Sequence, residues 1–326
     1  MKKYNELKPI LILFIICIVL LTTLSIFVPL SYHETRWSIS WENVPEDIRS
    51  NYAKFRCMTT AENGDLWAGN DNGVVHISGQ TWETFSSRTL HHIRDIEAAP
   101  NGEVWVLTER NNVLNYNGMT WNQIPVITTL QDITITTDGT IWGATPAGLV
   151  QFDGKEWQPV NLQQNSPDKS DSICALDASP DGSIWTGDCT TDFILTHLDQ
   201  DQIEFSKPID GVGFITRIDA NAVNRVWLYS MGNKSGVTAL GYYDNEQWHL
   251  YGPSRLKFAG IDITFVNDLS ADSNGKAWIA TPKGVCLFNG QFCAKYLKGE
   301  SLYSVATAPD GSVWMGLENQ IVKLWR

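Results

Sequence analysis

The 326-residue chain lacks the short signatures that carry common enzyme chemistry. It has no nucleophile elbow, metal-protease helix, phosphate loop or dinucleotide fingerprint. It is also short of positive charge, with 24 Lys and Arg against 36 Asp and Glu, and the basic residues form no cluster beyond scattered pairs such as Arg255 and Lys257. Lys2, Lys3, Lys8 and Glu6 precede an apolar segment, which leaves the remainder with 35 acidic and 21 basic residues. A surface of that sign repels a phosphate backbone unless a basic stripe compensates, so nucleic acid is not an expected partner. Cysteine is limited to six residues, and their spacings are not those of a zinc site.

Charge is missing altogether between Lys8 and Glu34, and Ile10 to Leu30 is almost wholly apolar. At about 1.5 Å per residue in a helix this run is long enough to cross a bilayer core. Ser25 to Leu30 offers no small-residue cleavage site, so residues 9–31 read as an uncleaved transmembrane anchor rather than a signal peptide. Three lysines precede the span and only Arg36 closely follows it. The positive-inside bias then makes residues 1–8 cytoplasmic and residues 32–326 periplasmic or extracellular, with the chain a single-pass membrane protein. Cys17 falls mid-span as a packing residue.

Aromatic residues are abundant, and the 14 Trp are explained by an internal repeat. The unit is a tight turn ending in Gly, then an aliphatic residue and Trp. It occurs at Asn63-Gly64 to Trp67, Asn101-Gly102 to Trp105, Asp138-Gly139 to Trp142, Asp181-Gly182 to Trp185, Asn274-Gly275 to Trp278 and Asp310-Gly311 to Trp314. A weaker copy, Asn224 to Trp227, makes seven, at intervals of 36 to 51 residues. Asn-Gly and Asp-Gly are the residues of a two-residue type I′ hairpin, and most copies carry a second turn before another aromatic, as at Gly79 to Trp82, Gly118 to Trp121, Gly154 to Trp157 and Gly290 to Phe292. Two hairpins make a four-stranded blade. The spacing therefore predicts an all-β, seven-bladed β-propeller, with repeats at about 55–92, 93–129, 130–172, 173–214, 215–265, 266–301 and 302–326. The last repeat ends without an outer strand, while Ser40-Trp41-Glu42 resembles Thr81-Trp82-Glu83. The segment 37–45 is thus expected to complete the last blade and close the ring. A Trp at the same place in each repeat is most simply the wedge between blades.

The Asn/Asp-Gly-x-aliphatic-Trp unit, followed by Ala280 to Val285 or Ala144 to Leu149, resembles the two-component regulator propeller repeat, from about Phe55 to the end. That resemblance implies a sensing or recognition role outside the cytoplasm and supplies no signalling output. A more distant similarity is to the streptogramin B lyase type of propeller, a family that uses loop-face His with a divalent cation. No matching His pair on separate blades is found here, so no catalytic residue is carried over and catalysis is not expected.

Four cysteines flank turns symmetrically: Cys174 and Cys189 about Asp181-Gly182, and Cys286 and Cys293 about Asn289-Gly290. If each hairpin has a two-residue turn, the members of a pair lie directly opposite, near the 5.5 Å Cα separation that a disulfide accepts. An external compartment favours both bridges. Cys57 is left as a core thiol.

In a propeller the inter-blade connections and the loops between second and third strands share one face. The long segments here belong to it: Glu83 to His92, Gln158 to Ser172, Ser206 to Phe214, Tyr229 to Val237 and His249 to Phe265. Counting back from each turn Gly places Asp95, Asp132, Arg217 and Asp268 at the channel mouth, with His91 and His92 on the neighbouring loop. No cofactor is identified, but the acids could hold a divalent cation through oxygen ligands. The sequence therefore supports a membrane-anchored, extracytoplasmic recognition module for a protein or small-molecule ligand on the loop face. A lyase- or hydrolase-type propeller enzyme and an envelope scaffold are the alternatives.

Overall fold

The computed structural model describes residues 37–43, 54–161, 172–189, 195–199, 202–205, 213–222, 225–232, 238–244, 247–258 and 265–325. The expected anchor at 9–31, with Cys17, lies outside them. Among the described residues no helix is long and apolar enough to cross a membrane. The chain divides into residues 1–38 with residue 326, and residues 39–325; the second unit holds the sheets.

Seven separate four-stranded antiparallel sheets follow one another along the chain, each with its strands in sequence order except the last. Their first strands are Cys57–Thr60, Ile93–Ala98, Asp132–Ile135, Ile173–Ala178, Phe214–Ala222, Asp268–Ala271 and Ser304–Thr307. Each first strand packs on that of the next blade, and Cys57–Thr60 packs on Ser304–Thr307. In the seventh sheet Ser38–Asn43 lies beside Gln320–Trp325, so the N-terminal strand occupies the outer position that the last repeat leaves empty. Second strands such as Val104–Thr108 and Ala277–Thr281 are buried throughout, because a neighbouring blade covers each face. This is why they read as continuous apolar runs instead of alternating ones. Outer strands such as Thr81–Phe85 are largely exposed.

The first hairpins differ from the expected type I′ turn. Thr60 pairs with Leu66, the Ala61 N–H donates to Asp65 O at 2.9 Å, and the Gly64 N–H donates to Ala61 O at 2.9 Å. Within this turn only Gly64 has positive φ, at 85°. The connection is a type I turn followed by one left-handed residue, a longer hairpin loop that needs a single Gly. Asn63 contributes through its side chain, whose Oδ1 accepts the Asp65 N–H at 3.0 Å.

The repeated Trp is the inter-blade wedge. Trp67 packs with Leu90, Ile93 and Val104 of the next blade, Trp185 with Ile215 and Val226, and Trp314 of blade seven with Phe55 and Leu66 of blade one. Close approach also fixes two glycines. A Cβ on Gly69 would stand 2.5 Å from Ile93 Cγ2, and one on Gly187 would stand 2.5 Å from Ile215 Cγ2, in each case at the next blade's first strand.

Both disulfides are present, with Cα separations of 5.3 Å for Cys174–Cys189 and 5.6 Å for Cys286–Cys293. The expectation that the partners lie directly opposite is corrected. Cys286 pairs with Lys295 and Cys293 with Phe288, so that bridge runs diagonally across the ladder. Cys174 sits in the bulge between Ile173 and Ala175, and the Cys189 N–H donates to Ser172 O. The longer turns move each pair out of direct register. Cys57 is buried with a free thiol.

Candidate functional site

A sheet's first strand has one edge without a ladder partner, and in this ring those edges meet around the central channel. The unpaired N–H groups there need acceptors. Acidic side chains supply them from the preceding blade. Asp95 Oδ2 accepts the Ile133 N–H at 3.0 Å, Asp132 Oδ2 accepts that of Leu176 at 2.9 Å, and Asp268 Oδ2 accepts that of Val305 at 3.0 Å. Two residues deeper, Asp177 Oδ2 accepts the Ala220 N–H at 2.7 Å, and Ser270 Oγ accepts the Thr307 N–H at 3.2 Å. Between blades seven and one, the Ser304 hydroxyl donates to Phe55 O at 2.7 Å. The residues that sequence spacing places at the mouth are thus joints between blades.

This deeper row comprises Glu97, Asp177 and Asp219, which pair in register with Trp105, Trp185 and Trp227. They are absent from the mouth residues selected by sequence, although the count back from each turn Gly aligns them with the ring. Desolvation pushes the carboxyls up. Asp177 rises to about 6, while Asp219 rises to about 7 with the Asp177 charge adding to the effect. Asp268 also rises to about 7, although Arg217 opposes the shift. Glu97 and Asp132 are held well above the usual carboxylate range by burial and, next, by the Asp95 charge. Arg217 stands at the mouth with its side chain half exposed, 3.9 Å from Asp268, and its Nε donates to Asn267 O at 3.2 Å. Among the described residues no group of three or more His, Cys, Asp and Glu is placed to hold a metal ion.

His91 and His92 stack on each other with ring centroids 5.3 Å apart. His92 is held on the rim: its Nδ1 is 3.6 Å from Asp71 Oδ1, its backbone N–H donates to Asp71 O, and its carbonyl accepts the Glu109 N–H. Burial holds the His91 imidazole below its ordinary value, with His92 and Arg110 adding to the effect. The same pinning recurs around the face. Asn111, in the left-handed conformation at φ 61°, donates from Nδ2 to Thr128 O and accepts the Leu130 N–H, and the Gly299 N–H donates to Lys283 O. Each of these connectors is tied to the second-to-third strand loop of the blade it leaves. Between Gly252 and Asn267 the fifth connector includes a short helix, Pro253–Phe258.

Another recurring arrangement is invisible in linear spacing. His76 stacks on Trp67 at 4.0 Å while its Nε2 meets Asp65 at 3.1 Å, and Lys323 lies over Trp314 at 4.6 Å with Nζ 3.9 Å from Asp310. In both cases an acid of the first turn holds a third-strand side chain against the wedge Trp, on the side of the ring opposite the connectors.

A seven-bladed ring with this repeat agrees with a family match: the tectonin domain description fits residues 58–227. The chain belongs to the tectonin domain family. No curated protein matches it in sequence. Among solved structures, this tectonin-family propeller is similar to a streptogramin B lyase, with a TM-score of 0.69 and 15% identity over 89% of this chain and 97% of that one. It is similar to YCF48 bound to D1 peptide, with a TM-score of 0.62 and 17% identity over 89% and 97% of the two chains. It also resembles the extracellular domain of a putative hybrid two-component system from B. thetaiotaomicron, with a TM-score of 0.65 and 17% identity. That match covers 87% of this chain but 40% of the other. The propeller resemblance seen in the repeats is thereby met in fold, in both the lyase and the two-component groups.

Proposed function

We propose that the chain is an extracytoplasmic recognition module: a non-catalytic propeller, closed by its N-terminal strand and tethered by the apolar segment 9–31, that binds a ligand on the connector face. The observation that carries this reading is the use of Asp95, Asp132, Asp177 and Asp268 as blade-to-blade acceptors. Groups committed to joining the scaffold leave recognition to the connectors, which are pinned on a rigid rim. Two disulfides support an oxidising compartment. The strand order, with Ser38–Asn43 outermost in the last sheet, supports closure by the N-terminus. The likeness to a propeller bound to a peptide supports a protein ligand.

The test is a thermal-shift screen of the full chain against divalent cations, sugars and peptides. A ligand present at about 100 times its dissociation constant stabilises the folded state by about 2.7 kcal/mol. The shift should survive in Asp95→Asn and Asp268→Asn, each compared with its own unliganded midpoint. If either variant folds but loses the shift, the site lies in the channel and the enzyme reading returns.

A further inference from the structure

Antiparallel blades sort loops by face. Inter-blade connectors and second-to-third strand loops emerge on one rim, and the first and last hairpin turns emerge on the other. The two rims differ in charge. On the turn rim an acid stands in every described first turn, namely Asp65, Glu103, Asp138, Asp181, Asp272 and Asp310. Several are fixed there by turn chemistry: the Asp138 carboxylate accepts the Thr140 N–H, and that of Asp310 accepts the Ser312 N–H. Among the described residues Lys155 and Lys276 in the turns, with Lys323 beside Asp310 and Arg225 beside Gly275, oppose them.

Among the described residues the connector rim, outside the channel mouth, carries more cations than anions. Arg56, Arg88, Arg110, Arg255, Lys257 and Lys283 are all exposed on it, and Lys54 and Lys298 add to them. Among the described residues, its acids outside the channel mouth and apart from the buried Asp188 are Asp71, Glu109, Glu300 and Glu318. Asp71 is already held by Arg56 at 3.4 Å and by His92. The same rim exposes Ile127 at 83%, Phe265 at 59% and Met231 at 42%. The turn rim exposes Met119 and Phe292 as well, so charge rather than apolarity separates the two.

We propose that the connector rim is the docking surface for an acidic segment of a partner protein that also carries apolar side chains, although the chain as a whole is acidic. The inference rests on the recognition reading and supplies the chemistry of the ligand. Charge complementarity argues for the acid. The far rim is a strand away, roughly 15–20 Å at 3.3 Å per residue. That exceeds a screening length of about 8–10 Å at physiological salt, so an approaching anion senses the local rim rather than the net charge. Exposed Ile127, Phe265 and Met231 argue for a protein, because a polysaccharide or nucleic acid would leave them uncovered.

The full chain would be titrated with a synthetic peptide of repeated Glu-Glu-Leu units, its Lys-Lys-Leu counterpart and dextran sulfate. The acidic peptide should bind best, and its affinity should fall at least about tenfold between about 50 and 300 mM salt. The double variant Arg88→Glu/Arg110→Glu should weaken it by about tenfold, Phe265→Ser should weaken it less, and Glu62→Lys on the turn rim should leave it unchanged. Tighter binding of dextran sulfate, or of the Lys-Lys-Leu peptide, would overturn the proposed partner while retaining a recognition module. Indifference to the Arg88/Arg110 change in a folded variant would overturn the surface. Failure of every probe would overturn the inference alone, since the thermal-shift screen decides the recognition reading separately.

Discussion

The Asp268 carboxylate accepts the Val305 N–H at 3.0 Å, joining the first strand of one blade to that of the next. Asp95 with Ile133, Asp132 with Leu176 and Asp177 with Ala220 repeat the joint. A propeller has no backbone ladder between blades, so these carboxylates and the Trp wedges perform what hydrogen-bonded strands do elsewhere.

Asp177 makes the most of these contacts, accepting the Ala220 and Ala178 N–H groups at 2.7 and 2.8 Å and the Thr134 hydroxyl at 3.3 Å. Asp177→Ala should destabilise the propeller by about 2–3 kcal/mol, because a buried N–H is left without its acceptor, and Asp177→Asn by less. Urea unfolding of the two variants beside the parent would measure it.

Raised carboxyl pKa values set a direction for pH. A group that binds its proton more tightly when folded stabilises fully below its unfolded value and loses that contribution as pH rises through its folded value. For Asp177 at about 6, and Asp219 and Asp268 at about 7, stability should therefore decline as pH rises toward and through neutrality. Melting midpoints at about pH 5 and pH 8 would show the fall, and Asp219→Asn should flatten it; a higher midpoint at the alkaline end would contradict the assignment.

Reduction should weaken the fold unequally. On the chain-entropy model, the 15-residue separation of Cys174–Cys189 corresponds to about 3 kcal/mol and the 7-residue separation of Cys286–Cys293 to about 2 kcal/mol. Denaturant midpoints of Cys174→Ser/Cys189→Ser and Cys286→Ser/Cys293→Ser should follow that order.

The fully buried Trp227 donates from Nε1 to Gly275 O of the following blade at 3.1 Å. Trp227→Phe should cost about 1–2 kcal/mol, through the lost hydrogen bond and some packing. Trp227→Ala should cost about 3–5 kcal/mol through the cavity. Equal losses in chemical denaturation would show that the hydrogen bond, not the wedge, holds these blades together.

Fold class was legible because Gly-x-aliphatic-Trp recurs six times, with Asn224 in the Gly place of a seventh copy, and each copy states its own turn, buried strand and wedge. The partnering of the four cysteines was also legible, since residues that flank one turn return to the same place. The turn type and the diagonal setting of Cys286–Cys293 were not, because the same turn residues fit loops one or two residues longer, and each length sets a different register. Sequence likewise aligned Asp95, Asp132 and Asp268 as a ring, but nothing in linear spacing says that each carboxylate reaches a backbone N–H 37 to 44 residues away. The rim charges belong to the same class. The cations are scattered singly along the chain, and only the alternation of antiparallel strands gathers Arg56, Arg88, Arg110 and Lys283 on one face. Local chemistry, being short-ranged, is written in order along the sequence; the choice of neighbour, and with it the burial, pairing and charge of a surface, exists only once the ring has formed.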